Sequence, residues 1–108
     1  MDKDCSDVKI GTFTTQTESY GVITVTRTET QSIEDIPAIN KKMVNSIYWT
    51  SDCTFTLEYE SGDKPPTSTA ELPIDCEIID VGEDYHIVRC QIRGTETKFD
   101  YTMKNKTN

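Results

Sequence analysis

The chain has little of what most biochemical activities require. It holds one histidine and one tryptophan in 108 residues, so a catalytic imidazole has a single candidate, His86. Lysine and arginine number 11 against 19 carboxylates, a formal net charge of −8, and no basic run reverses that balance locally. Such a chain repels phosphate backbones and offers no counterion release, which argues against nucleic acid as a partner. No stretch approaches the roughly 18 consecutive apolar residues of a membrane-spanning helix, so no transmembrane segment is expected. Hydrophobic residues make up only 34%. A thin core built from alternating apolar positions follows, which favours sheet over helix bundle. At this length one domain fits, spanning 1–108, with 1–6 as an N-terminal segment, 61–70 as an exposed loop and 105–108 as a tail.

Close cysteine pairs are also missing. Successive cysteines are 48, 23 and 14 residues apart, whereas a structural zinc site presents two sulfurs from one tight turn, as in Cys-x-x-Cys. No Asp-x-Asp-x-Asp-Gly loop is present, so Asp75, Glu77, Asp80, Glu83 and Asp84 read as a solvated acidic face, not a calcium site. His86 lies four positions from Cys90, about 13 Å at the rise of a strand, too far for a nucleophile and its base. It reads as a surface or half-buried residue beside a turn. With no nucleophile, base and orienting group converging, neither an enzyme nor a cofactor is expected.

What the chain does have is period two. In "GVITVTRTETQSI" the residues Ile23, Val25, Arg27 and Glu29 share one face, with Val22, Thr24, Thr26 and Thr28 on the other. "SIYWTSDCTFTLEYESGD" reads as a hairpin turning at "TSD", with Cys53, Phe55, Leu57 and Tyr59 on one face. Leu72, Ile74, Cys76 and Ile78 alternate with polar residues, as do Val88, Cys90 and Ile92, and then Phe99, Tyr101 and Met103. "SIEDIPAINKKMVNS" is the one helix candidate, with Ser32 and Asp35 resembling a capping box. Pro37 and the lack of a 3.6 period reduce it to a connection with one helical turn. Seven or eight short strands in sequence predict an antiparallel up-and-down meander closed into a small lipocalin-like barrel, with a two-sheet sandwich as the alternative.

Four cysteines, an even number, point to disulfides and an oxidising compartment. Cys76 and Cys90 lie equally far from Glu83. Pairings whose residue numbers sum to 166 place them directly opposite and keep both apolar faces on one side of the sheet. Opposed residues have Cα atoms about 4.5 to 5.5 Å apart, within disulfide range, so this reading joins Cys76 to Cys90. Cys5 and Cys53 then pair by elimination. They meet only if both lie at one end of the barrel, which on this reading needs three strands between Lys9 and Thr50 and a break in the run from Thr26 to Asp35. A lipid anchor at Cys5 ranks behind both readings, because Asp4 is not the small residue such processing favours.

The patches "DCSDVKIGTF", "VTRTETQ" and "SIYWTSDCTFTLEY" resemble a group of small exported proteins of Bacteroidetes bacteria. The resemblance spans most of the chain and implies a signal peptide removed ahead of it, hence a secreted, periplasmic or cell-envelope location. "MDKDCSDVKI" itself lacks the apolar core of such a signal. Cys5, Cys53 and Cys90 fall where those proteins carry cysteine, and Cys76 has no counterpart. The resemblance carries over no catalytic residue.

Arg27, Trp49, Phe55, Tyr59 and Tyr101 form a candidate ligand cavity, with Arg27 and Glu29 able to fix a polar head. For so short a chain a packed interior is the stronger expectation. Two functions stay open: a non-enzymatic exported module acting through its surface on a protein partner, ranked first, and a carrier of a small apolar ligand. A cavity above about 300 Å³ favours the carrier.

Overall fold

The computed structural model describes residues 5–18, 20–63 and 72–105. Eight strands follow in order: β1 (Gly11–Thr17), β2 (Gly21–Arg27), β3 (Gln31–Ile36), β4 (Lys41–Trp49), β5 (Thr54–Gly62), β6 (Ile74–Val81), β7 (Tyr85–Ile92) and β8 (Lys98–Asn105). Each pairs antiparallel with the next, and β8 returns to β1, giving a closed up-and-down barrel. This is the lipocalin-like architecture that the alternation predicts. Among the described residues there is no α-helix, only 3-10 turns at Ser6–Val8 and Pro37–Ile39.

Side-chain alternation does the sorting. Phe13 and Thr15 on β1, Ile23, Val25 and Arg27 on β2, and His86, Val88 and Cys90 on β7 are all buried, while Val22 and Arg89 between them face outward. The helix candidate is overturned: residues 31–36 and 41–49 are strands. Only Pro37–Ile39 makes a helical turn, and it ends on left-handed Asn40, whose N–H bonds to the Pro37 carbonyl. Pro37 has no N–H to give a ladder, so it sits where the chain turns and not inside either strand.

The run from Thr26 to Asp35 breaks at residues 28–30. Thr28 Oγ1 there accepts from the N–H groups of Thr30 and Gln31. Four strands, and not three, therefore separate Lys9 from Thr50, and an even number of antiparallel strands returns the chain to the end it left. Cys5 and Cys53 consequently meet as a disulfide, with Cα atoms 5.5 Å apart. The bond ties the Ser6–Val8 turn across one end of the barrel, where Cys5 and Val8 are 1% and 4% exposed. Lys9 completes this cap, its ammonium 4.6 Å from the Trp49 ring centroid.

Two bulges shape the wall. One lies between Val44 and Asn45 against β5, the other between Ile78 and Asp80 against β7. The sum-of-166 register holds from Ile74–Ile92 to Ile78–Val88 and then slips by one residue. Gly62 sits beside the first bulge at φ 87°, where a Cβ would come 2.5 Å from the Lys42 carbonyl oxygen. The expected loop at 61–70 thus starts late, since Ser61 and Gly62 belong to β5. Its residues 64–70 lie outside the described residues, as do 106–108 of the expected tail. Among the described residues the closing seam pairs β1 with β8 at Phe13–Asn105 and Thr14–Lys104.

Removing the tether has a calculable cost. The Cys5–Cys53 bond closes a loop of 48 residues, worth about 4 kcal/mol in the chain-entropy model. Cys5→Ala/Cys53→Ala should lose most of that in urea unfolding under non-reducing conditions, while its far-ultraviolet circular dichroism stays that of a sheet.

Candidate functional site

The barrel interior divides along its axis. At the capped end Phe13, Val25, Ile47, Phe55, Ile78 and Val88 pack into a core. Beyond them lies a cavity of about 640 Å³, which Arg27, Phe55, Cys76 and Cys90 line at its inner end. Its other end is ringed by Glu18 and Tyr20 from the β1–β2 turn, Ile39 from the β3–β4 turn, Lys41 at the start of β4, and Asp63 and Leu72 beside β5 and β6. The expectation of a filled interior is therefore wrong for this half of the barrel. The physical reason is side-chain size: at the middle of the wall β3 and β4 supply Ser32 and Asn45, both small and buried.

Arg27 forms the floor. It is 2% exposed. Its Nη2 donates to the Val8 carbonyl at 2.7 Å and to His86 Nε2 at 2.5 Å. Its guanidinium carbon lies 4.6 Å from the Phe13 ring centroid and 5.5 Å from that of Phe55. Burial lowers the Arg27 pKa to about 10, which still leaves it charged at neutral pH. Its Nε has no hydrogen-bond partner.

His86 is not the surface or half-buried residue the sequence suggests. It is fully buried, because it shares the inward parity of Val88 and Cys90 on β7. A guanidinium only donates, so His86 Nε2 must accept and the proton sits on Nδ1, which is itself without a partner. Burial first, and then the Arg27 charge, lower its pKa to about 3. The imidazole is neutral, and its one lone pair is occupied. On the wall opposite, burial raises the pKa of Glu34. The pKa of Tyr101 is pushed up to about 12 by burial and then by Glu34.

Cys76 and Cys90 stand directly opposite, in the register that the sequence predicts, with Sγ atoms 2.7 Å apart. They are nevertheless free thiols, and the predicted bond between them is absent. Register brings the sulfurs together, but joining them is an oxidation that proceeds through a thiolate. The hydrogen bond that the Cys76 S–H makes to Cys90, and then burial, push the Cys76 thiol pKa well up. Of the other residues named from sequence, Phe55, Tyr59 and Tyr101 line the cavity with Arg27. Trp49 does not: it packs against Phe55 at 4.8 Å and under Lys9. Glu29 is exposed in the β2–β3 turn, because β2 ends at Arg27.

Sequence reasoning missed Ser32, Glu34 and Asn45 because it placed them in a helical connection. Had β3 been read as a strand, the parity of Ser32, Glu34 and Ile36 would have placed all three on one face. Among the described residues no three His, Cys, Asp or Glu side chains are grouped to hold a metal ion. No protein-family model, curated protein or solved structure matches the chain.

Two measurements test this chemistry. The unfolded chain protonates His86 below about pH 6.5, while the folded chain resists protonation until about pH 3. The unfolded state therefore binds more protons in that window, and stability falls as pH drops through it. Glu34 acts in the opposite sense, since acidification relieves its burial cost. His86→Gln, which keeps an acceptor for Arg27, should flatten the loss between about pH 6.5 and 5 in urea titrations. In peptide mapping, alkylation of native unreduced protein should label neither Cys76 nor Cys90. Unfolding without reductant should label both and leave Cys5 joined to Cys53.

Proposed function

We propose that this protein is a non-enzymatic carrier that holds a small apolar ligand inside its barrel. The observation that carries the reading is the cavity of about 640 Å³, well inside the roughly 300–1,000 Å³ range of small-molecule sites. Its wall is mostly aliphatic and aromatic, with polar groups confined to a few positions. The chemistry of the floor supports a binding role over a catalytic one. The His86 lone pair is committed to Arg27, and the Cys76 thiol is held protonated, so neither of these two groups is free to act as a base or nucleophile. The cavity moves the carrier ahead of the surface-acting module that composition alone ranks first. The Cys5–Cys53 disulfide supports a secreted or cell-envelope setting.

Nile red, a neutral apolar dye, should bind saturably at one site per chain with a blue-shifted emission. Leu57 and Ile74 face each other across β5 and β6 and both line the cavity. Leu57→Trp should narrow it at the middle of the wall and weaken the dye at least about tenfold, with the sheet signal in circular dichroism retained. Dye binding that survives Leu57→Trp would place the ligand elsewhere.

A further inference from the structure

Resting on the carrier reading, the floor specifies what kind of ligand the cavity takes. A guanidinium stripped of water is expensive to keep, and buried charges are normally paired. The groups that touch Arg27 are all neutral: the Val8 carbonyl, the His86 lone pair and the faces of Phe13 and Phe55. Among the described residues no carboxylate forms an ion pair with it. The carboxylates that line the cavity are Glu18 and Asp63 at its outer end and Glu34 on β3. Burial favours the neutral form of Glu34. One positive charge is therefore left over at the inner end of an apolar cavity, with the Nε–H of the same group lacking an acceptor.

Arg27 does not stand alone. It is the cross-strand partner of Ser32, and Ser32 is the cross-strand partner of Asn45. All three are buried and all three line the cavity. Adjacent strands lie about 4.8 Å apart, so β2, β3 and β4 present a cation, a hydroxyl and an amide side by side. All three can donate to one acceptor group, and the uncancelled charge of Arg27 favours an anion over a neutral acceptor.

We propose that Arg27, with Ser32 and Asn45, is the receptor for the carboxylate of a medium-chain monocarboxylic acid. The acid sits head inward with its alkyl tail along Val25, Leu57, Ile74 and Tyr101 toward the open end. A carboxylate fits the donor set better than a phosphate, whose three oxygens would need more donors than one cation and two neutral groups supply. The depth sets the tail. From Arg27 to Gly21 is six steps of strand, which at about 3.3 Å each and a tilt near 40° gives roughly 15 Å, the length of about ten to twelve carbons.

Calorimetry at pH 7.5 with dodecanoate, dodecanol, dodecyltrimethylammonium and dodecyl phosphate, each below its micelle concentration, tests the assignment. Dodecanoate should bind at least about tenfold tighter than dodecanol, the cation weakest, and dodecyl phosphate no better than dodecanoate. In Arg27→Met the ratio of acid to alcohol should fall to about one, and Ser32→Ala and Asn45→Ala should each reduce it severalfold. Equal binding of acid and alcohol, preference for the cation, tighter binding of the phosphate, or a ratio that survives Arg27→Met would each overturn the proposal and leave the carrier reading standing. Failure of all four ligands and of Nile red would overturn the carrier reading itself. A measurement on unaltered protein covers the case in which Arg27→Met does not fold. The carboxyl carbon of bound ¹³C-labelled dodecanoate should titrate well below the free acid, and titration at or above the free value would sink the proposal.

Discussion

The hydrogen bond from Arg27 to the Val8 carbonyl joins the Ser6–Val8 turn to the sheet. Through the same nitrogen, Arg27 also reaches His86 on β7. One side chain thus binds the cap, β2 and β7 at the end of the barrel where the core is densest. The disulfide holds the cap from the other side, at the β4–β5 turn. Because every group touching the guanidinium is neutral, these contacts satisfy its geometry without cancelling its charge. The interior therefore has a direction: a cation at the closed end, then small polar groups, then apolar wall, then the mixed charges of the rim.

Much of this was legible as parity. A closed antiparallel barrel assigns every residue to the inside or the outside by counting in twos. The alternation of Ile23, Val25 and Arg27, or of Val88 and Cys90, carries that assignment directly. His86 obeyed the same count and was misjudged only because histidines beside turns are commonly exposed. Glu29 failed it because the strand ended one residue pair earlier, at a turn held by the Thr28 hydroxyl. The stretch from Ser32 to Asn45 was hardest, since the inward residues of its two strands are Ser, Glu, Ile, Lys, Met and Asn, four of the six polar. A polar inner face looks like no inner face at all. The donors that distinguish the cavity were hidden for the same reason that they are useful: they interrupt an apolar pattern.

The two cysteine pairs separate geometry from chemistry. Cys5 and Cys53 are 48 residues apart and meet only after four strands have formed, yet they are joined. Cys76 and Cys90 are neighbours in one hairpin, aligned by the ladder itself, and remain thiols. Proximity was the better legible quantity and the poorer guide. The first pair serves a segment with no ladder of its own, where a covalent tether substitutes for missing backbone pairing. The second lies in a hairpin already held by pairing in one register from Ile74–Ile92 to Ile78–Val88, with Arg89–Asp100 and Arg93–Asp75 ion pairs outside it.

Among the described residues the seam between β1 and β8 closes over two residue pairs, both near the capped end. Past Thr14 no further β1–β8 pair follows among the described residues, and Thr17, Tyr101 and Met103 on these two strands border the cavity. Of the eight strand pairs this one has the fewest ladder contacts holding it, so local opening of the wall costs least here.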